Sequence, residues 1–493
     1  MNLAELFICK AMQHPDKIAI SAGQEYRTYA ELVQSMKKVA YGLQRNCLKH
    51  ENIAILSTNR IEFVEVFLGA IYAGCIPIPL DPKWSANEVI VILKQCMPKI
   101  IFAESAFATN LKSQQSDMQL FTFSDGETGS YDSWLSSLKP EAEMDKTNEL
   151  LFIGFTSGTT GIPKGYMRTH LSWIKSFAAT NEAFRFDEME HILAPGPFVQ
   201  SLSLFALMQS LYNGGTFHIL PKFNAAEVLR LCKQHPNTIL FVVPTMIESM
   251  LEQAAPGQVH IQALISSGAK WSEASKKKAK EVFGEARLYE FYGSSEASYI
   301  SYLDIYEENK PHSLGKPFPG VQVSIRDEYF REVPTGTIGQ LCIRSDMMFL
   351  GYHHLPDETR AGFQDGWLML GDYTSMDEDG YLYLAGRAKN MLISGGLNIY
   401  PEEVEAVLQQ HSAIGEVMVL GSPDAYWGER VVALIKWDGS HRLSIEEVKA
   451  YCRDYLASYK VPKQLITVDD LIYTSSGKLA RQAMKDYMEK VLV

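Results

Sequence analysis

Short apolar runs separated by amphipathic stretches recur from near the start of the chain to about residue 290, and this alternation restricts the fold more than any other feature. Ile53–Leu56, Ile100–Ala103, Leu151–Phe155, Thr238–Val243 and Ala263–Ser266 are almost wholly hydrophobic. Runs this short and this apolar suit strands buried on both faces, the condition of parallel strands covered by helices. The stretches between them carry helix starts, such as the Thr28/Glu31 capping box ahead of a helix running towards Gln44. The expected class is therefore α/β with parallel-rich sheets. After Gly315 the texture turns strand-rich with Gly and Pro turns, at Val321–Ile325, Gly339–Arg344 and Tyr381–Leu384, predicting a β-rich subdomain. Beyond Gly386-Arg387, Pro401 opens a helix with Val404, Val407 and Leu408 on one face. Strands over Val417–Leu420 and Val431–Trp437 and a helix capped by Ser444 and Glu447 follow. The chain thus divides into a large N-terminal region, 1–386, and a small α+β C-terminal domain, 387–493. Residues 104–149, the most polar stretch, read as a surface loop.

Composition removes several function classes. With 46 basic and 58 acidic residues the net charge is −12, which opposes a nucleic-acid-coating surface. The seven cysteines lie more than twenty positions apart, so no close CxxC pair exists for a zinc ribbon or a thioredoxin-like site. An odd, scattered set fits buried thiols in a reducing compartment. The longest charge-free apolar stretch, Val66–Leu80, contains Pro77 and Pro79 and falls short of the roughly 20 residues of a membrane span. Met1–Pro15 lacks the apolar core of a signal peptide. The expectation is a cytoplasmic protein without a membrane span.

The strongest local signal is Thr156-Ser157-Gly158-Thr159-Thr160-Gly161-Ile162-Pro163-Lys164-Gly165, directly after an apolar strand. Glycines let such a loop turn its amides inward as a nest for anionic oxygen, and the hydroxyls and Lys164 add donors for phosphate. Pro163 stands where a Walker A loop needs its second glycine, and the chain contains no GxG of a dinucleotide fingerprint.

That decapeptide resembles the phosphate loop of the adenylate-forming superfamily, which comprises acyl- and aryl-CoA synthetases, adenylation domains and beetle luciferases. The resemblance continues in order along nearly the whole chain. Ala73-Gly74-Cys75-Ile76-Pro77-Ile78-Pro79-Leu80-Asp81-Pro82 is similar to an early core segment. Tyr292-Gly293-Ser294-Ser295-Glu296 resembles the YGxTE motif, with Ser295 for Thr, and Gly339-Gln340-Leu341-Cys342-Ile343 loosely matches GELxI. Asp365–Asp372 resembles DGWxxTGD with Leu370 for Thr. Gly386–Asn390 with Ser394–Pro401 resembles the hinge and glycine loop, and Ser475–Arg481 the C-terminal lysine motif.

The resemblance implies roles for these residues. Thr156, Ser157, Gly158, Thr159, Thr160, Gly161 and Lys164 would cradle ATP, together with Gly268, Ala269, Tyr292, Gly293, Ser295, Glu296, Asp372, Arg387 and Lys478. Glu296 would hold Mg²⁺, a hard ion suited to carboxylate and phosphate oxygens. Tyr292 would pack on adenine, Ser295 would donate to the α-phosphate and Asp372 would accept the ribose hydroxyls. Lys478 would bridge the carboxylate substrate and the α-phosphate, supplying positive charge where two anions meet. Thr160 and Lys164 join Lys478 and Glu296 as the catalytic set. Lys389 marks the hinge about which a mobile C-terminal domain turns between half-reactions. Ser394, Gly395 and Gly396 would line the CoA path, where glycines let a pantetheine arm pass close to backbone.

The acyl pocket is drawn from Val199, Gln200, Val243, Met246, Ser267 and Gly293, apolar or small apart from Gln200, which stands where the family commonly has His. No acid lies between Ala194 and Leu220, so a substrate ammonium would lack its counter-charge and amino acids are disfavoured. The expected function is an ATP-dependent acyl-CoA ligase for a small-molecule carboxylic acid, with a fatty acid first and an aryl acid such as a benzoate or succinylbenzoate behind it. A ligase loading an acyl-carrier protein and a nucleotide-binding pseudoenzyme are the other classes left open, as is a homodimer.

Overall fold

The computed structural model describes residues 2–45, 50–112, 118–123, 130–139, 148–156, 163–186, 188–269, 271–307, 309–387, 390–394, 397–424, 427–456, 458–474 and 479–492. The chain forms two compact units. The first comprises Met1–Glu308, Phe318–Val321 and Arg344–Gln364, and the second Asn309–Pro317, Gln322–Ile343 and Asp365–Val493. The division expected at 386/387 falls inside the second unit.

In the first unit the largest sheet runs, in spatial order, Ser298–Asp304, Arg287–Ser294, Ile261–Ser266, Thr238–Val242, His191–Leu193, Thr216–His218, Ile18–Ala22 and Glu25–Thr28. Its inner pairings are parallel, and the first and last are antiparallel hairpins. Its middle strand Thr238–Val242 is buried end to end and Ile261–Ser266 at every position but Gln262, which is why they read as largely apolar runs. A second, all-parallel sheet runs Ile76–Leu80, Asn52–Leu56, Ile100–Glu104, Gln119–Phe123. Its Ile76–Leu80 strand carries Pro77 and Pro79 and lies at the sheet edge, the place where missing N–H donors are tolerated. The helix Ile61–Tyr72 is buried at every position but Glu62. The Thr28/Glu31 capping box forms as expected, with reciprocal bonds of 2.8 and 3.2 Å at the start of Tyr29–Arg45.

The surface loop expected over 104–149 is corrected. Its described part contains the helix Ser105–Lys112, the strand Gln119–Phe123 and the helix Tyr131–Ser136. Phe121, Phe123 and Tyr131 are buried, stacking with Phe102 and Trp134. A few well-spaced aromatics outweigh a polar average, because each covers a large area of the sheet.

The second unit contains the expected β-rich part, an antiparallel sheet of Gln322–Arg326, Gly339–Arg344, Trp367–Met376 and Leu382–Arg387. It also contains a second sheet of Leu397–Ile399, Leu392–Ser394, Gly428–Trp437 and Ile414–Asp424, with Gln464–Thr467 parallel to Gly428–Trp437. Alternate residues of the central pair face opposite cores. Val417, Val419, Val431 and Ala433 pack with Val404 and Val448 on one side; Met418, Leu420, Val432 and Leu434 pack with Met484 and Met488 on the other. Helices Pro401–Leu408 and Ile445–Arg453 thus cover one face and Arg481–Leu492 the other. Among the described residues no helix is long and apolar enough to cross a membrane.

Candidate active site

In the first unit Val243, Ser267, Gly268 and the Tyr292–Glu296 motif stand at the carboxyl ends of neighbouring parallel strands, where α/β sheets leave a crevice for ligands. Arg287–Ser294 ends in the Tyr292–Glu296 motif and turns back into Ser298–Asp304, with Ser294 opposite Ser298. The turn is tight: a Cβ on Gly293 would lie 2.2 Å from the Ser298 carbonyl oxygen, so only glycine fits. Ser294 Oγ accepts from Ala297 N at 3.0 Å, and Ser298 adopts a left-handed φ of 67°.

Beneath this turn lies a residue that the sequence reading missed. Arg168, 3% exposed, donates from Nη1 to the Ser295 carbonyl at 3.1 Å and from Nη2 to the Met347 carbonyl at 2.7 Å. Its Nε reaches Ser172 Oγ at 3.3 Å. Burial pulls the guanidinium down to about 10, while Tyr166 and Glu296 act in the opposite sense. One rigid cation thus ties the Glu296 loop to the segment that delivers Phe349 and Tyr352. That segment is bonded to the loop a second time, Phe349 N donating to the Glu296 carbonyl at 2.7 Å.

The Glu296 carboxylate accepts from the Tyr352 hydroxyl at 2.9 Å, and Lys164 Nζ sits 5.4 Å from the Tyr352 ring centroid. Burial, with the Glu296 charge adding, pushes the Tyr352 phenol up. On the other side, Tyr166 Oη lies 2.9 Å from Ser201 Oγ, which lies 3.3 Å from Ser295 Oγ. Ser295, expected to face an α-phosphate, is therefore the open end of a hydroxyl chain rooted in a buried phenol. Tyr166 and Arg168 share one parity of the strand Lys164–Thr169, so they point to one face.

The predicted acyl-pocket residues lie on adjacent elements. Ser267 N donates to the Val242 carbonyl at 3.2 Å, and the Cβ direction of Gly268 meets Val243 Cγ1 at 3.4 Å. The Cβ direction of Gly196 meets Gln200 Oε1 and Met246 Cε, each at 3.9 Å. Val199, Gln200, Val243 and Met246 are half-buried and Ser267 is buried, while Gly268 and Ala269 are exposed. Gln200 caps the helix Ser201–Asn213 through its backbone alone, leaving its side chain to the wall. Buried Asn59, also missed in the sequence, braces this wall, accepting from Phe198 N at 2.7 Å and donating to the Gly196 carbonyl at 2.8 Å. The Gly268–Ala269 turn is fixed from behind: Glu290 accepts from Trp271 N at 2.8 Å and pairs with buried Lys276 at 2.8 Å.

In the second unit, Asp372 and Arg387 stand opposite each other on Trp367–Met376 and Leu382–Arg387. Arg387 Nε donates to Asp372 Oδ1 at 2.7 Å, and the carboxylate is buried while the guanidinium is half-exposed. Gly386 admits a close neighbour, since a Cβ there would lie 2.7 Å from Tyr400 Cβ. Arg481, of the C-terminal lysine motif, donates to Glu405 at 2.6 Å and to the Val419 carbonyl at 3.0 Å, pinning that end of the motif to the helix Pro401–Leu408 and the strand Ile414–Asp424. Ser394 is buried at the end of Leu392–Ser394.

Ser157, Gly158, Thr159, Thr160, Gly161, Lys389, Gly395, Gly396 and Lys478 lie outside the described residues, and Thr156 is described in its backbone only.

The sequence profile of AMP-binding enzymes matches residues 9–353, and that of the AMP-binding enzyme C-terminal domain matches residues 403–478. The chain belongs to the AMP-binding enzyme family. Among the relatives of this family member, an uncharacterized acyl-CoA ligase, YhfT, of Bacillus subtilis is 34% identical over 99% of both chains. A long-chain-fatty-acid–CoA ligase of the same organism is 31% identical, covering 98% of this chain and 94% of its own. Among solved structures, ATP-bound MatB from Rhodopseudomonas palustris superimposes with a TM-score of 0.90 at 26% identity over the whole of both chains. The O-succinylbenzoate CoA synthetase of Bacillus subtilis with AMP gives 0.85 at 26% identity over 98% of both. The expected fold and the expected AMP-forming acid–thiol ligase both stand with these AMP-binding enzymes.

Proposed function

We propose that this ligase activates a fatty acid with ATP and transfers the acyl group to CoA. In the first half-reaction a carboxylate oxygen attacks the α-phosphorus, forming acyl-AMP and expelling pyrophosphate. In the second the CoA sulfur attacks the acyl carbon and AMP leaves. The observation that carries the first step is the Glu296 loop, a carboxylate held at the crevice by a neutral phenol hydrogen bond. Its hard oxygens suit the Mg²⁺ that accompanies the nucleotide substrate. Lys164 and Ser295 flank it as donors to phosphate oxygens, and Tyr292 at the end of its strand is the platform for adenine. Asp372, oriented by Arg387, receives the ribose hydroxyls.

Lys478 carries the charge that lets two anions meet, and Ser394, Gly395 and Gly396 form the thiol path. A boundary at 386/387, with Lys389 as hinge, gives a C-terminal domain that exchanges one for the other. A fatty acid fits the half-buried Val199, Val243 and Met246 wall and agrees with the 31% identical long-chain-fatty-acid–CoA ligase. The O-succinylbenzoate CoA synthetase likeness supports a second reading, an aryl acid. A carrier-protein thiol in place of CoA is the alternative acceptor, while a homodimer and a cytoplasmic site of action are further expectations of the main reading.

The test is pyrophosphate release and thioester formation across fatty, aryl and amino acids, each with and without CoA. Release stimulated by CoA with fatty acids is the expected result. Stimulation by aryl acids alone replaces the substrate class, and release indifferent to CoA replaces the acceptor. Lys478→Ala should abolish acyl-AMP formation while sparing thioester formation from supplied acyl-AMP; equal loss of both steps removes that role.

A further inference from the structure

Three histidines meet in the large sheet of the first unit, on elements the ligase chemistry does not use. His191 opens the strand His191–Leu193, and His218 closes the neighbouring strand Thr216–His218. His235 caps the helix Ala225–Gln234 that leads into Thr238–Val242, on the other side of His191–Leu193. His191 Nδ1 and His218 Nε2 lie 3.1 Å apart, and one nitrogen from each of the three rings falls within 4.8 Å of the others. The His235 ring centroid lies 4.5 Å from that of His191 and 4.4 Å from that of His218.

A hydrogen bond between His191 and His218 uses two of the rings, and the third packs against both. Three converging imidazoles from three separate chain segments are instead the ligand set of an open tetrahedral site, with water as the fourth ligand. At a zinc–nitrogen distance of about 2.0–2.1 Å, tetrahedral nitrogens stand a little over 3 Å apart, so the 3.1 Å pair is nearly in place. We propose that His191, His218 and His235 form a site for one late first-row divalent cation, with zinc as the reference ion.

The local electrostatics favour the neutral imidazoles that metals bind. Burial pulls His218 down to about 3, with His235 and His191 adding, and burial lowers His191 and His235 too. Glu190 acts on His191 in the direction that welcomes a cation; Lys17 near His191 and Arg230 near His235 oppose it. Imidazole ligands without thiolate place the site in the nickel–copper–zinc range rather than with magnesium or calcium. Because the ligands join a helix end to two parallel strands, the bound ion acts as a cross-link within the sheet.

Tag-free, full-length protein stripped with a chelator is titrated with Zn²⁺ by calorimetry, and with Co²⁺ by visible absorption. One equivalent of zinc and the intense d–d bands of four-coordinate cobalt are expected. His235→Gln and His191→Gln, at partly exposed positions, should each weaken zinc by at least the roughly 10–100-fold that even an outer partner of a metal ligand is worth. Circular dichroism establishes that both variants are folded. Absence of saturable stoichiometric binding to the wild-type chain overturns the proposal. Unchanged binding in both folded variants overturns it equally, by placing the ion elsewhere.

Discussion

Two carboxylates, one in each unit, are held by arginines in opposite ways. In the first unit Arg168 grips the main-chain carbonyls of Ser295 and Met347, while the Glu296 carboxylate takes a phenol hydrogen bond from Tyr352. In the second, Arg387 donates directly to the Asp372 carboxylate. The first arrangement fixes position and leaves the acid's charge for an incoming cation. The second matches the charge and leaves an oriented acceptor for neutral hydroxyls. Under the proposed function the two acids would thus serve different partners, one Mg²⁺ with phosphate and one a sugar, according to where their arginine places its protons.

Substitutions can break this contrast. The largest effect is expected from Glu296→Gln, which keeps the Tyr352 contact but removes the charge. Acyl-AMP formation should fall roughly 100- to 1,000-fold, the size of losing one preorganised electrostatic group. The fall should appear in kcat of pyrophosphate release. Arg168→Lys comes next, because it replaces two separate terminal nitrogens, one on each carbonyl, by a single nitrogen, and a buried carbonyl left unbonded costs about 1–3 kcal/mol. Denaturant titration should show that loss, whereas Arg387→Lys at its half-exposed position should change stability by less than about 1 kcal/mol. Similar losses for the two arginines would erase the distinction drawn between them.

Asp372→Asn should raise the ATP KM about tenfold with little change in kcat, the pattern of lost ground-state binding through a charge-assisted hydrogen bond. A kcat defect as large as that of Glu296→Gln would place both acids in one role. The smallest effect concerns the helix that follows the Arg168 strand. His170, buried, accepts from Leu3 N at 3.1 Å, and burial pulls its imidazole down from 6.5 to about 4. Between those values the unfolded chain takes up a proton that the folded chain refuses, so stability is lost as pH falls through that window. His170→Asn, which retains an acceptor, should remove about 1 kcal/mol of the stability change between pH 6.5 and 5.5. Parallel pH profiles for wild type and variant would show that His170 is not responsible.

Much of this architecture was legible in the sequence because buried parallel strands leave unbroken apolar runs, as at Thr238–Val242, and because Gly293 stands where backbone approaches backbone. The polar stretch 104–149 misled, since its packing rests on Phe121, Phe123 and Tyr131 rather than on its average. Arg168, Tyr352 and Asn59 were missed for a common reason. Each acts on a segment far away in sequence, 127 residues in the case of Arg168 and Ser295, and a single chain without tertiary contacts gives such residues no distinguishing spacing. The roles given to the glycine loop and to Lys478 rest on ordered resemblance alone, and Gly395, Gly396 and Lys478 lie outside the described residues.

The prolines of Ile76–Leu80 bear on how the chain survives its own synthesis. In the finished protein this edge packs against Ile153 and Phe155 of Leu150–Thr156, which are made some 70 residues later. At translation speeds of about 5–20 residues per second, the hydrophobic edge waits roughly 4–14 s for its cover. During that interval an ordinary strand would offer a row of N–H donors to any passing nascent chain. Pro77 and Pro79 have none to offer, so the waiting edge lacks those donors before it is physically hidden.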